Sequence, residues 1–136
     1  MYFLASPLYR TDIKGIEKDA AKLRRNEMIA EKLEQAGIEL ILPQRDVDQT
    51  QPKRQIWEQE LDLIRKCDGM IVILSDTRGL YLETGFAKAL GKKAFGLKVE
   101  ETRPVPSDGW TAQWFDFITD DIDTLVVYLK SLRGSQ

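Results

Sequence analysis

The 136-residue sequence contains no histidine and a single cysteine, Cys67. The absence of histidine excludes Ser-His-Asp triads, Cys-His dyads and histidine-based metal sites. A single cysteine excludes an internal disulfide framework. If the protein is an enzyme, carboxylates must therefore carry most of its chemistry.

Other features that the sequence lacks narrow the class of protein. No run of about 18 apolar residues is present, so no membrane span is expected. No charged segment precedes the first apolar stretch, as it would in a secretory signal, so a cytoplasmic location is expected. Lys and Arg total 20 against 22 for Asp and Glu, a net charge of −2 that argues against a nucleic-acid-coating protein. The length and the 43% hydrophobic content fit one packed domain over residues 1–136.

Apolar runs and helical periodicities alternate about five times along the chain. The runs predict strands at 1–5, 39–42, 69–74, 93–99 and 114–118. The periodicities predict helices over about 19–35, 56–66, 80–90 and 122–132, with loops at 44–53 and 100–111. This alternation predicts a doubly wound, flavodoxin-like α/β fold of about five mostly parallel strands with helices on both faces. Ligands of such sheets bind beyond the carboxyl ends of the strands, here after Ala5, Leu42, Leu74 and Val99.

Glu83 is a carboxylate on the apolar stripe of a predicted helix. With the helix starting near Leu80, the residues three, four and seven positions after Glu83 are Phe86, Ala87 and Leu90. Burial there costs several kcal/mol unless it is compensated. The free N–H groups of a first helical turn would favour the ionised form. A dehydrated but ionised carboxylate at this edge suits nucleophilic attack, and a capping or dipole role is the structural alternative.

Glu60 is a second carboxylate on an apolar stripe, flanked by Ile56, Trp57, Leu63 and Ile64. Eight residues of helix separate it from Asp68, which places it roughly 12 Å above the base of the next strand. It is therefore expected to point towards the same mouth as Glu83. Burial and like-charge repulsion would raise its pKa, as a general acid requires. An ion pair with Arg65, or with a lysine across the sheet, is the structural alternative.

Three segments carry a resemblance to a known family. Residues 3–9 read Phe-Leu-Ala-Ser-Pro-Leu-Tyr and look like an opening Tyr-Leu-Ala-Gly-Pro-Leu-Phe. Asp68, the apolar strand after it, Gly79 and the run Glu-Thr-Gly-Phe-Ala from Glu83 follow the pattern Asp, apolar strand, Gly, Glu-x-Gly-x-Ala. In this order and spacing the sequence resembles the nucleoside 2-deoxyribosyltransferases and their deoxynucleotide N-glycosidase relatives, as far as about Leu97.

The resemblance implies cleavage of a nucleoside N-glycosidic bond without a metal or organic cofactor. It makes Glu83 the nucleophile that attacks the sugar C1′ and forms a glycosyl-enzyme intermediate, which water or a second base resolves. It puts Glu60 where relatives carry an Asp near the base or the sugar. It also implies a homo-oligomer in which a neighbour's loop closes each pocket. The substrate-binding positions that it implies are Phe3, Ser6, Pro7, Leu8, Tyr9, Asp76, Thr77 and Gly79.

Three residues depart from the family pattern. Phe3 stands where transferases carry a Tyr that bonds the catalytic Glu, and Tyr2 is expected to face the other side of the strand. Thr77 stands where transferases carry an Asp and the N-glycosidases a Ser. A hydroxyl can donate to a phosphate that a carboxylate would repel, so Thr77 favours a phosphorylated substrate, although Asp76 could still contact the sugar. Tyr81 occupies a small-residue position and is expected to narrow the pocket.

Two functions follow as hypotheses. The first is an enzyme that cleaves or transfers at the N-glycosidic bond of 2′-deoxynucleosides or their 5′-monophosphates. The second is a non-catalytic nucleotide-binding or regulatory module on the same fold. This alternative stays open because Phe3 and Thr77 depart from the pattern of the transferases. In both, the partner is a small nucleoside or nucleotide rather than a nucleic acid or a membrane. A receiver domain is disfavoured because Ser6-Pro7, not an acidic cluster, follows the first strand.

Overall fold

The computed structural model describes residues 1–7, 19–75, 77–100, 102 and 111–134. No helix within these ranges has the length and apolar character needed to cross a bilayer. The elements along the chain are β1 (Tyr2–Ala5), α1 (Ala20–Gln35), β2 (Leu40–Ile41), α2 (Pro43–Asp46), α3 (Lys53–Lys66), β3 (Gly69–Leu74), α4 (Arg78–Ala89), β4 (Lys93–Lys98), a 3-10 helix (Thr111–Trp114), β5 (Phe117–Thr119) and α5 (Ile122–Gly134).

The five strands of the described chain form one parallel sheet in the order β2-β1-β3-β4-β5. This is the doubly wound, flavodoxin-like order, and it confirms the predicted fold class. The order reverses between β1 and β3, where Tyr2 pairs with Gly69 and Ala5 pairs with Val72. At such a switch point the connections leave in opposite directions, so a crevice opens beyond the carboxyl ends of β1 and β3.

Side chains alternate between two hydrophobic cores, one on each face of the sheet. Tyr2 and Leu4 of β1 face the side covered by α1 and α5, where they join Leu33 and Leu129. Phe3 and Ala5 face the other side, which α3 and α4 cover. The expectation that Tyr2 and Phe3 point in opposite directions is confirmed. Every residue of β3 is buried, as a central parallel strand requires.

Helix boundaries follow from local chemistry. The Asp19 carboxylate caps α1 by accepting from the backbone N–H groups of Ala21 (2.9 Å) and Lys22 (3.3 Å). Gly37, at φ +91°, then ends α1 in a conformation that favours glycine.

Four boundary predictions were wrong. The predicted loop at 44–53 overlaps the short helix α2, and the strand predicted at 114–118 is split into the 3-10 helix and β5. The helix predicted from Ile56 begins three residues earlier, at Lys53, and the helix predicted from Leu80 begins two residues earlier, at Arg78.

Candidate active site

The carboxyl ends of β1 and β3 supply the backbone around the switch-point crevice. Ser6, which is half-buried, and Pro7, which is buried, follow β1. Ser75 and Thr77 follow β3, and the Thr77 backbone N–H donates to the Ser75 carbonyl oxygen at 2.9 Å. The structure therefore brings the predicted residues Ser6, Pro7 and Thr77 to one edge of the sheet. Leu8, Tyr9 and Asp76 lie outside the described residues.

Glu83 lies on the inner face of α4, between Leu80 and Ala87, which are both buried. Its neighbour Thr84 is also buried and donates its hydroxyl to the Leu80 carbonyl oxygen at 2.6 Å. Of the stripe read from the sequence, Ala87 is buried and Phe86 is partly buried, but Leu90 is 43% exposed, so the prediction is confirmed only as far as Ala87. Since α4 begins at Arg78, Glu83 is its sixth residue and lies about 8 Å along the helix from the crevice edge.

The Glu83 carboxyl is raised in pKa to about 8, first by burial and second by the charge of Glu60. Its Oε2 atom is buried and has no hydrogen-bond partner among the described residues. The expectations of an ionised carboxylate and of a first-turn capping role are both wrong. In the second turn, the backbone N–H groups are already bonded within the helix and do not stabilise the charge.

Glu60 lies on α3, which packs beside α4 on the same face of the sheet. It is half-buried, and burial raises the pKa of its carboxyl, as expected. Its charge acts on Glu83, so the two carboxyl groups are electrostatic neighbours. The alternative ion pair with Arg65 is wrong, because Arg65 pairs with Asp62 at 3.8 Å and its guanidinium lies 5.2 Å from the centre of the Phe86 ring.

The remaining predicted residues, on β1 and at the start of α4, differ in their burial and contacts. Phe3 is fully buried on the α3 and α4 side. Thr77 is the N-cap residue of α4, yet its side chain makes no capping hydrogen bond. Gly79 is exposed, with open space where a β-carbon would be. Tyr81 is 45% exposed on α4, and its narrowing of the pocket stays a prediction.

Two polar residues that hold this edge together were missed from the sequence. Asn26 of α1 is fully buried and donates to the Pro7 carbonyl oxygen at 2.9 Å. The Thr102 hydroxyl donates to the carbonyl oxygen of Leu74, the last residue of β3, at 2.6 Å. A polar residue at position 26 of an otherwise apolar stripe was a usable signal for the first. Nothing in the local pattern marked Thr102.

A metal site is not formed by the residues in the described ranges, where no three Cys, Asp or Glu side chains group closely enough to hold an ion. The candidate site instead consists of two neighbouring carboxyl groups of raised pKa, Glu83 with a buried oxygen and the half-buried Glu60. Such groups can act as an acid and a nucleophile towards a bond placed between them.

The structure is thus a doubly wound α/β domain with two neighbouring carboxyl groups on the helices that cover one face of its sheet. The family model described as nucleoside 2-deoxyribosyltransferase matches residues 3–121. The chain therefore belongs to the nucleoside 2-deoxyribosyltransferase family, whose members act on nucleosides or nucleotides. The match extends beyond Leu97, where the resemblance of the sequence fades. No curated protein sequence gives a significant match.

Solved structures of this class share the fold. A 2-deoxyribosyltransferase from the psychrotolerant bacterium Bacillus psychrosaccharolyticus superposes with a TM-score of 0.70 at 16% identity, over 92% of this chain and 89% of that one. A CMP N-glycosidase from Clostridium botulinum gives 0.55 at 21% identity, over 95% and 97%. A 2-deoxyribosyltransferase from Leishmania mexicana gives 0.53 at 25% identity, over 76% of this chain and 66% of that protein.

Proposed function

We propose that the protein cleaves or transfers at the N-glycosidic bond of 2′-deoxynucleosides or their 5′-monophosphates. The observation that carries this proposal is the pair of neighbouring carboxyl groups, Glu83 with its buried, unpartnered oxygen and the half-buried Glu60, on α4 and α3. Neither makes an ion pair within the described residues, so no structural partner accounts for their burial. Family membership supplies the reaction class.

In the first step, a Glu83 carboxylate oxygen forms a bond to the sugar C1′ while the bond from C1′ to the base nitrogen breaks. The leaving base keeps the electron pair of that bond and takes a proton, which Glu60 supplies or relays. The transition state carries positive charge on the sugar, and the ionised Glu83 stabilises that charge. The same positive charge favours ionisation of Glu83, opposing the rise in pKa that burial causes.

In the second step, an acceptor attacks C1′ and releases Glu83. If the acceptor is water, its proton passes to the Glu60 carboxylate and the product is the free sugar. If the acceptor is another nucleobase, its ring nitrogen forms the new bond, the proton on that nitrogen passes to the Glu60 carboxylate, and the product is a nucleoside. Both outcomes regenerate the starting protonation of the pair, so the site supports hydrolysis and transfer with the same two residues.

A 5′-monophosphate is the favoured form of the substrate. Thr77 begins α4 at the crevice edge, and its side chain does not cap the helix. A hydroxyl in this place can donate to a phosphate oxygen. The N–H groups in the first turn of the 12-residue helix α4 add a partial positive charge.

We also propose a homo-oligomer in the cytoplasm, with a neighbouring subunit closing the pocket. Trp57 on α3 and Leu82 on α4 support a protein contact, since they are 56% and 74% exposed on the two helices that carry the carboxyl pair. Analytical ultracentrifugation of Trp57→Ser and Leu82→Ser would measure the loss of association.

The test is a panel of 2′-deoxynucleosides and their 5′-monophosphates, with and without a second base, in which released base is measured by chromatography. We expect turnover by the wild type and none by Glu83→Gln or Glu83→Ala. Glu58→Gln is the matched control, because Glu58 is an exposed carboxylate on α3. Full activity of the Glu83 variants would refute the proposed nucleophile. Substrate binding without any turnover by the wild type would support a non-catalytic module instead.

A further inference from the structure

A buried amide on α1 contacts the chain where it leaves β1. Asn26 has no exposed surface and belongs to the inner stripe of α1, whose other buried members are Ile29, Ala30 and Leu33. It is the polar member of that stripe and the one nearest to the start of α1. A buried primary amide costs free energy unless its two N–H groups and its oxygen all find partners.

Every hydrogen-bonding group of the Asn26 side chain has a partner. Its amide nitrogen donates to the Pro7 carbonyl oxygen at 2.9 Å and to Oε1 of Gln44 at 3.0 Å. Its oxygen accepts from the Arg25 guanidinium at 3.3 Å. Gln44 is itself fixed, because its amide nitrogen donates to the Leu23 carbonyl oxygen at 2.9 Å. The planar amide of Asn26 is therefore held in a single orientation.

This network joins the turn after β1 to the turn after β2. Pro7 lies two residues beyond the end of β1, and Gln44 is in α2, which follows β2 directly. Proline has no N–H group, so the Pro7 carbonyl is the polar backbone group through which this residue can be held. Asn26 makes that bond from α1, a helix on the opposite face of the sheet from Glu83 and Glu60.

We propose that Asn26 is a positioning residue for the sugar of the substrate, acting through Pro7 and oriented by Gln44. The inference rests on the proposed function and takes Ser6 and Pro7, at the carboxyl end of β1, as residues that contact the sugar. Asn26 does not touch the substrate itself. It fixes the position of the turn, and hence both the contacts that bind the sugar and the distance from C1′ to the nucleophile. A displacement of about 1 Å at such a distance costs about 100-fold in rate.

The experiment compares Asn26→Leu with Ile29→Ala. The leucine keeps the approximate volume of the asparagine and removes both donated hydrogen bonds. Ile29 is buried on the same stripe one turn further along, so Ile29→Ala loosens the same helix face without touching Pro7. Values of kcat and KM are measured for the best substrate of the panel, and the folded fraction of each variant is measured by urea unfolding.

We expect Asn26→Leu to lower kcat/KM by about 100-fold and to raise KM, whereas Ile29→Ala keeps the KM of the wild type. A purely structural role would change the folded fraction, and so the apparent kcat, but not KM. An unchanged KM in folded Asn26→Leu would therefore overturn the inference.

If Asn26→Leu does not fold, Gln44→Leu decides in its place, since it removes the acceptor that orients the Asn26 amide. A raised KM in that variant supports the inference, and an unchanged KM overturns it. A wild type without turnover on the whole panel would overturn the proposed function and this inference together. An active wild type with unchanged KM in the variants would overturn the inference alone.

Discussion

Replacing Glu83 with glutamine should stabilise the protein above neutral pH while abolishing its activity. The ordinary glutamate pKa of 4.5 is raised to about 8 at Glu83. The folded protein therefore holds a proton there that the unfolded chain releases. The resulting stability is fully present below about pH 4.5, is lost as the pH rises, and is gone above about pH 8. Glutamine is neutral throughout this range and escapes the loss.

The size of the effect follows from the two pKa values. At about 1.4 kcal/mol for each tenfold change in proton affinity, the difference corresponds to at most roughly 5 kcal/mol. We expect Glu83→Gln and the wild type to have similar free energies of unfolding near pH 5. At pH 8 to 9 the variant should be more stable by several kcal/mol, which is large against the 5–15 kcal/mol typical of a whole domain.

Urea unfolding from pH 5 to pH 9 at constant ionic strength measures this difference. The control is Glu58→Gln, whose carboxylate is 56% exposed and pairs with Arg54 at 3.2 Å. Its free energy of unfolding should follow the wild-type curve at a constant offset. The reasoning would be refuted if the curves of Glu83→Gln and the wild type ran parallel from pH 5 to pH 9, because Glu83 would then have the same pKa in the folded and unfolded chain.

Three further predictions concern the proposed reaction. In the wild type, kcat/KM should fall as the pH rises through about 8, because the pair then loses the proton that the leaving base takes. In Glu60→Gln this fall should occur at lower pH and from a lower maximum, because the charge that raises the Glu83 pKa and the proton relay are both gone. Phe3→Tyr should shift the same profile to lower pH by giving the Glu83 carboxylate a hydroxyl donor; a loss of stability without any shift would count against this. Thr77→Asp should raise KM at least tenfold for monophosphates and leave KM for nucleosides nearly unchanged in the same kinetic assay.

Much of the fold could be predicted from the sequence, because the strongest hydrophobic patterns occur where the tertiary structure buries side chains. The unbroken apolar run at 69–74 has the same bounds as β3, since a central parallel strand is buried on both faces. The apolar stripe of α1 and the glycine that ends this helix, Gly37, could likewise be recognised from the local sequence. By contrast, β5 has only partly buried residues and pairs with β4 alone, so its apolar pattern is weak. The preceding 3-10 helix left no periodicity to detect.

The candidate site was only partly predictable, because the pKa values and hydrogen bonds of its residues depend on contacts between distant parts of the chain. The inward stripes found Glu83 and Glu60, since helical spacing alone decides which face they share. The protonation of Glu83 depends on its burial and on the charge of Glu60, which lies on another helix, and helical spacing gives the size of neither effect. The bond from Asn26 to Pro7 joins residues 19 positions apart in the chain. No local rule marks such a contact.

The carboxyl edge of this sheet leaves several polar groups without the partners that a purely structural role would give them. Glu83 has a buried oxygen that is unbonded among the described residues, and the aromatic ring of Phe3 adds no hydroxyl to that face of the sheet. Thr77 starts α4 without capping it. The unbonded Glu83 oxygen costs stability in the protein alone. In the proposed function both side chains match parts of one ligand, a sugar carbon that becomes positive in the transition state and a phosphate at its 5′ position. A nucleotide with its C1′ towards Glu83 and its phosphate towards Thr77 would contact both at once.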